Sequence, residues 1–455
     1  MSHFKTINPA NEDILAKYQY YSTDHIRAAI NDCDRAWQDW KVQSFSSRSS
    51  LLMNLSNLLL TKKKELAEEI TNEMGKPFTQ SIAEIEKCSW VCEFYAVNGE
   101  GFLHPEMIES DASKSYVSYE PLGVVFAVMP WNFPYWQVIR FAAPALMAGN
   151  AALLKHSPNT SGCALSIEKL FLEAGFPKDL FKTVLADIPQ IEEIVSDPRV
   201  AAVTLTGSTK AGKSLAALSG KYLKKTVLEL GGSDPYIILE DADLELATEA
   251  CVTGRLINSG QSCIAAKRFI VTAAIADDFT DLIHQKLNAK QVGDPYDKES
   301  DIGPLAREDL RDQLDNQVKA SIQSGAKCLL GGNKLEGKGF YYPPTLLTNV
   351  TKGMTAYSEE LFGPVASIIT VKDNEEAIHV ANDSIYGLGS AIFSRNITTA
   401  ELIASKINAG STFINSFVKS DPRLPFGGIK ESGYGRELSH IGIKEFVNTK
   451  TVYLK

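Results

Sequence analysis

The chain has 455 residues and a net charge of −9, from 46 Lys and Arg against 55 Asp and Glu, with an isoelectric point near 5.5. Hydrophobic residues make up 44% and charged residues 22%, an ordinary globular composition that excludes bulk disorder and lets a large core form without staples. The acidic balance, with no Lys/Arg stripe, excludes nucleic acid as the main partner, and the length predicts about three domains at roughly 150 residues each.

The opening segment MSHFKTINPANEDIL has no basic start followed by an apolar stretch, so no secretory leader is expected. The first hundred residues read as helices. Ser22 or Thr23 can cap a segment in which Ile26, Ile30, Cys33, Trp37 and Trp40 recur at helical spacing. A second helix is expected over 51–74, stopped by Gly75-Lys76-Pro77, and a third over 80–97. From residue 115 the pattern changes to short apolar runs (SYVSYEPLG, VVFAVMP, AALLKHS, FKTVLAD, VAAVTLTG, KTVLELGG) separated by helical stretches, the first of them over 136–148. Near-continuous apolar strands alternating with helices predict a parallel, doubly wound sheet, which binds ligands at the carboxyl ends of its strands. A second α/β alternation runs through PYIILED (235–241), RFIVTAAI (268–275), ASIITV (366–371) and STFINS (411–416), with helices near 243–257, 276–290, 307–323 and 374–382.

The most apolar region, 123–154, is broken by Pro130, Asn132, Pro134, Gln137, Arg140 and Pro144, so no membrane crossing is expected. Seven scattered cysteines predict free thiols in a reducing cytoplasm. Cys88 and Cys92 lie one helical turn apart with no His or second Cys pair nearby, and no metal site is expected.

Two features carry chemistry. Residues 207–214, GSTKAGKS, satisfy the phosphate-cradling pattern G-x-x-x-x-G-K-[ST] between a strand and a helix, with YIILED downstream, so a P-loop nucleotide hydrolase has to be weighed. Against it, at least three strand–helix units precede the motif, and glycines opening a helix would receive a dinucleotide pyrophosphate equally well. The second feature is Cys263 in SGQSCIAAKR. A lone cysteine is ordinarily inert packing, but Glu229 ends a strand before paired glycines, Asn132 is fixed between Pro130 and Pro134, and Glu360 lies in a Gly-Pro loop.

PWNFP, LLKHSP, LTGST, LELGG, GQSC, EELFGP and PFGGIKESGYGRE, in this order and over essentially the whole chain, resemble the NAD(P)-dependent aldehyde dehydrogenase superfamily. The resemblance absorbs the P-loop match into a TGST-type turn and implies an aldehyde-dehydrogenase-like α/β fold of two doubly wound domains plus a small β oligomerisation arm. The implied boundaries are 1–112 with 122–230 for the dinucleotide-binding domain, 231–437 for the catalytic domain, and 113–121 with 438–455 for the arm.

The resemblance implies Cys263 as nucleophile, Asn132 with the Cys263 amide as oxyanion hole, and Glu229 as the base that activates water for thioester hydrolysis. Relatives that pass the acyl group to coenzyme A lack this carboxylate, so its presence implies a free-acid product. The alternative for Glu229 is a helix cap or an ion pair with a lysine. Gly207, Ser208 and Gly212 would face the pyrophosphate, Glu360 the nicotinamide ribose, and Trp131 would pack near the cofactor. Lys155 and Ser157 would handle the adenosine ribose. Pro158 stands where NAD-selective relatives often carry a Glu, so NADP is the preferred expectation, with NAD use left open.

Within the superfamily, KHSPN, ELGGSDP and SGQSCIAAKRF are similar to the bacterial succinate-semialdehyde dehydrogenases. This implies a carboxylate-tailed aldehyde, with Arg140 and Ser420 as its binding residues; a broad-specificity aliphatic aldehyde dehydrogenase is the alternative, and an ion pair is the alternative role for Arg140. Ile257 stands where some of those enzymes carry a second arginine, and Arg255 is two residues away. A homodimer or homotetramer is expected.

Overall fold

The computed structural model describes residues 3–455. Its first large sheet has six strands in the order Gly433–Tyr434, Lys225–Glu229, Val200–Thr206, Val124–Met129, Ala151–His156 and Phe181–Thr183. All neighbours are parallel except the first pair. The second has seven strands in the order Lys327–Leu330, Thr345–Thr348, Val365–Val371, Ala266–Thr272, Asp234–Ile238, Ala391–Phe393 and Phe413–Ile414, parallel throughout except the first pair.

Burial explains why these strands read as unbroken apolar runs. In the second sheet Ile237, Ile270, Ile369 and Ile392 enter the core on one face, while Tyr236, Ile238, Phe269, Val271 and Phe393 enter the core on the other. Successive side chains point to opposite faces and helices cover both, so most positions are apolar, and the polar exceptions such as Asp234, Lys267 and Arg268 lie near the strand starts.

Several helices start where the sequence places a cap. Ser22 accepts the His25 amide and opens Thr23–Trp40, and Gly75, at φ 85°, ends Lys63–Met74. The single helix expected over 51–74 is instead two, Phe45–Thr61 and Lys63–Met74. Ser44 caps the first, and the Lys62 amide turns back to the Leu58 and Leu60 carbonyls between them. The third helix is longer than expected, Phe78–Phe102.

The all-helical reading of the first hundred residues also missed an antiparallel hairpin, His3–Ile7 with Ile14–Gln19. Its period-two pattern places Phe4 against Tyr18 and Tyr20, and Asn8 closes the turn by accepting the Ala10 amide on its side chain and the Glu12 amide on its carbonyl. Strands Thr345–Thr348 and Ala391–Phe393 went unread because three or four residues are too short to show a period.

A separate three-stranded antiparallel sheet pairs Val447–Leu454 with Lys114–Pro121, and that strand with Glu106–Met107. The segment before it does not stay with the second sheet, because Gly433–Tyr434 pairs with the strand that ends in Glu229.

Candidate active site

The strand order of the first sheet sets the carboxyl ends side by side. Glu229 comes first, then Gly207-Ser208, then Pro130-Trp131-Asn132, then Lys155 to Ser157. Glu229 pairs with Thr206 in the ladder, and its carbonyl accepts the Gly207 amide at 3.0 Å. A cavity of about 600 Å³ opens over these ends, lined among others by Trp131, Asn132, Thr206, Gly207, Cys263 and Glu360.

Cys263 reaches it from the other side of the cleft. The helix Leu244–Leu256 ends in a turn where Asn258, Ser259 and Gly260 all have left-handed backbone, at φ 58°, 53° and 76°. Two non-glycine residues in that region cost about 1–2 kcal/mol each, and local hydrogen bonds hold them. Asn258 donates its amide to the carbonyls of Asn132 and Gln261, both at 2.8 Å, and Ser259 accepts the Gly303 amide. Gly260 is required for space as well, since a Cβ there would lie 2.3 Å from the Gly363 carbonyl. Asn132 donates to the Gln261 carbonyl at 3.1 Å and leaves its Oδ1 buried without a partner. The candidate oxyanion donor and the turn before the candidate nucleophile are therefore tied to each other.

The Asn132 loop is also held from behind. Lys76 and Glu84 form a fully buried ion pair at 2.5 Å, and Glu84 accepts the Tyr135 and Trp136 amides, both at 2.9 Å. The Lys76 ammonium sits 4.0 Å from the Phe133 ring centre, and His156 meets the Pro134 carbonyl at 3.0 Å.

Burial pushes the Cys263 thiol up to about 12, against the pull of Lys267 and Arg140 and with Glu360 and Glu229 adding to the rise. Lys267, buried in the strand after the cysteine, donates to the Cys263 and Ser262 carbonyls at 2.7 and 2.9 Å, and pairs with Glu360 at 3.1 Å. Sequence reasoning passed over it, although a lysine inside the apolar strand AKRFIVT was the available signal. Glu229 is buried with both carboxylate oxygens unpartnered. Burial first, then the charge of Glu437, raises its carboxyl well above the usual range, opposed by Arg140. It is neither a helix cap nor paired with a lysine.

Among the expected cofactor residues, Trp131, Gly207, Ser208 and Glu360 line the cavity. Glu360 accepts the Gly232 amide at 3.1 Å, and a Cβ on Gly231 would lie 2.5 Å from its other oxygen, which accounts for the paired glycines. Ser208 caps the helix Thr209–Lys221, whose first residues also line the cavity, so helix amides without intrahelical partners are available to an anion. Gly212 does not face the cavity: it is buried against Leu230, where a Cβ would meet Cδ atoms at 2.5 Å. Its role is close packing.

Lys213, the P-loop lysine of the alternative reading, points away from the helix start and pairs with Glu431 on an exposed surface. Lys155 is buried and makes no hydrogen bond or ion pair with a described residue, while Ser157 donates to Asn159 at 2.6 Å. An unneutralised buried cation at the strand end, with no carboxylate in place of Pro158, suits a ribose phosphate better than a bare ribose diol.

The substrate residues stand differently from expectation. Arg140 does not project toward an entrance: it is 2% exposed, its Nε is paired with Glu437, and its guanidinium lies over the Phe426 ring at 4.8 Å. Helix Trp136–Met147 is buried along its whole length, so an arginine on it has no solvent-facing side to use. Arg255 is also turned inward, donating to the Gly260 carbonyl at 2.7 Å. Ser420, 7% exposed, accepts a hydrogen bond from Lys87 at 2.7 Å.

Residues 1–452 match the model of the aldehyde dehydrogenase family. The chain is 46% identical over 452 residues to a succinate semialdehyde dehydrogenase [NAD(P)+] of Escherichia coli, covering 99% of this chain and 98% of that one. It is also 46% identical over 452 residues to a succinate-semialdehyde dehydrogenase [NADP(+)] of Mycobacterium bovis, covering 99% of each. The crystal structure of succinic semialdehyde dehydrogenase from Streptococcus pyogenes, in complex with NADP+ as the cofactor, superimposes with a TM-score of 0.97 at 38% identity, covering 99% of each chain.

Proposed function

The chain belongs to the aldehyde dehydrogenase family, and from that premise we propose that it oxidises succinate semialdehyde to succinate with NADP as the preferred cofactor. The observation that carries the reading is the convergence of Cys263 and Asn132 on the cavity that Gly207, Ser208 and Glu360 also line, beside the buried carboxylate of Glu229. The names of the relatives supply the substrate, and the unpaired Lys155 beside Ser157 and Pro158 supports NADP over NAD.

In this reading Cys263 releases its proton to solvent and its thiolate attacks the aldehyde carbon. The Asn132 amide and the Cys263 backbone N–H take the negative charge that develops on the oxygen. NADP, when bound, supplies the hydride acceptor. Glu229, its carboxyl raised by burial and by the charge of Glu437, takes a proton from water as the water attacks the thioester and passes it to the departing Cys263 sulfur, which releases the acid and restores the thiol. Gly207, Ser208 and the start of the following helix would hold the pyrophosphate, Glu360 the nicotinamide ribose, and Lys155 with Ser157 the adenosine ribose and its phosphate. The P-loop hydrolase reading has no support in the relatives or in the position of Lys213.

We assign the chain to the cytoplasm on its seven unbridged cysteines. Residues 113–121 and 438–455 are the oligomerisation arm in this reading, and the uncovered edge of Val447–Leu454 is what supports a homodimer or homotetramer. A panel of aldehydes assayed separately with NADP and NAD tests the function: succinate semialdehyde with NADP should give the highest kcat/KM, and Cys263→Ala should abolish it. Full activity in that variant, or preference for an uncharged aldehyde, would refute the reading.

A further inference from the structure

Lys267 stands inside the apolar strand Ala266–Thr272, with its side chain 1% exposed. A buried ammonium is tolerated only where its three N–H donors find acceptors. Here all three do: the Ser262 carbonyl at 2.9 Å, the Cys263 carbonyl at 2.7 Å and the Glu360 carboxylate at 3.1 Å. Two of the acceptors are therefore the carbonyls of the peptides that flank the Cys263 Cα.

The Ser262 carbonyl belongs to the same peptide as the Cys263 N–H, the second donor of the oxyanion hole in the function proposed above. In a trans peptide the two groups point in opposite directions. A cation on the carbonyl side draws electron density away from the N–H and makes it a stronger donor, because linked hydrogen bonds polarise one another at low dielectric. The Ser262 carbonyl also accepts the Ala265 amide at 3.2 Å, which adds to the same pull. Orientation is fixed as well. The bond to the Cys263 carbonyl holds the following peptide, and Gly232 closes on that oxygen from another side, since a Cβ there would lie 2.7 Å from it. The Asn132 donor has a separate support, through the Gln261 carbonyl and the Asn258 amide.

Resting on the roles of Cys263 and Asn132 proposed above, we propose that Lys267 is a positioning residue for the oxyanion hole, aiming and polarising the 262–263 peptide so that the Cys263 N–H takes up charge developing on the substrate oxygen. Lys267 does not line the cavity, so it acts through the backbone. Its charge also acts on the thiol, where it is the largest influence opposing burial, ahead of Arg140, while Glu360 and Glu229 act in the other sense. The two effects are separable. Thiolate formation alters every reaction of the sulfur, whereas the N–H matters only where an oxygen gains charge.

The test compares two reactions of Cys263 that need no cofactor. Iodoacetamide is attacked at its methylene carbon with loss of iodide and requires only the thiolate. p-Nitrophenyl acetate is attacked at its carbonyl, the acetyl group passing to sulfur as p-nitrophenolate leaves, and requires the thiolate and the oxyanion hole. The ratio of acylation to alkylation at one pH thus reads the hole. Lys267→Met should slow alkylation by no more than about tenfold, one pKa unit of thiolate, and lower the ratio by a further factor of about 10–100. Lys267→Gln is the milder change, keeps a neutral donor and should lower the ratio about three- to tenfold; it decides the question should Lys267→Met not fold. Asn132→Ala calibrates the assay, with the ratio down about 10²–10³-fold. With NADP and succinate semialdehyde, the Lys267 variants should lose kcat while KM for the aldehyde stays within about threefold. A wild-type ratio in the Lys267 variants beside a lowered ratio in Asn132→Ala overturns the role of Lys267 and leaves the oxyanion hole in place. A wild-type ratio in Asn132→Ala overturns the oxyanion reading and this proposal with it.

Discussion

The buried pair Lys76–Glu84 gives the most demanding test of how the site is held. Glu84→Gln keeps the side-chain volume and an oxygen for the Tyr135 and Trp136 amides, but removes the charge opposite Lys76. The two side chains are 0% and 1% exposed, so water does not replace the lost partner. Stranding a buried ion costs about 3–5 kcal/mol. The lysine can instead lose its proton, and from an ordinary value near 10.4 to pH 7 that costs about 4.6 kcal/mol. The Phe133 ring, 4.0 Å away, returns about 2 kcal/mol at most while the charge persists. We therefore expect a loss of about 3–4 kcal/mol. The double variant Lys76→Met/Glu84→Gln should recover to within about 1.5 kcal/mol of wild type, because no charge is left uncompensated. Urea denaturation followed by tryptophan fluorescence measures this directly. All five tryptophans lie between residues 37 and 136, so the signal reports the part of the chain that contains the pair. A single variant costing less than about 1 kcal/mol, or a double variant no better than the single, would refute the argument.

Three further outcomes follow from the site. Asn132→Ala should lower kcat by about 10²–10³ with a small change in KM; a loss under threefold would remove Asn132 from the oxyanion hole. Glu229→Gln should produce one burst of NADPH per active site and then stall, and sustained turnover would show that another group activates water. Raising the Cys263 thiol from 9.0 to about 12 lowers its thiolate fraction at pH 7 from about 10⁻² to about 10⁻⁵. In the absence of cofactor, alkylation of Cys263 by iodoacetamide, followed by peptide mass spectrometry, should keep rising about tenfold per pH unit beyond pH 9. A plateau near pH 9 would contradict the burial argument.

The sequence was most legible where local chemistry and fold agree. Apolar runs such as VVFAVM and YIIL announced strands covered on both faces, and Ser22 and Gly75 marked helix ends because caps act within one turn. The turn before the candidate nucleophile was legible as a motif, since Gly260 and Cys263 lie three positions apart in sequence. Partnerships between distant residues were not. Arg140 and Glu437 lie 297 positions apart (437 − 140) and Lys87 and Ser420 333, so no spacing rule reveals these partnerships. Lys267 illustrates the same limit: its position in a strand was readable, but not the carbonyls and carboxylate gathered around its ammonium.

The short pairing of Gly433–Tyr434 with the strand that ends in Glu229 has a consequence for the order of events during synthesis. Leu230 bonds through its amide to the Ser432 carbonyl, the charge of Glu437 acts on Glu229, and Phe426 and Glu437 close on each other through both amides. The carboxylate of Glu229 is thus translated near the middle of the chain and receives part of its surroundings from the end of it. A ribosome-bound chain halted before residue 426 would already contain Cys263, Asn132 and the Gly207-Ser208 turn, yet Glu229 would lack both the cover of the last segment and the charge of Glu437. Under the roles proposed above, nucleotide affinity and aldehyde turnover are expected to emerge at different lengths of nascent protein.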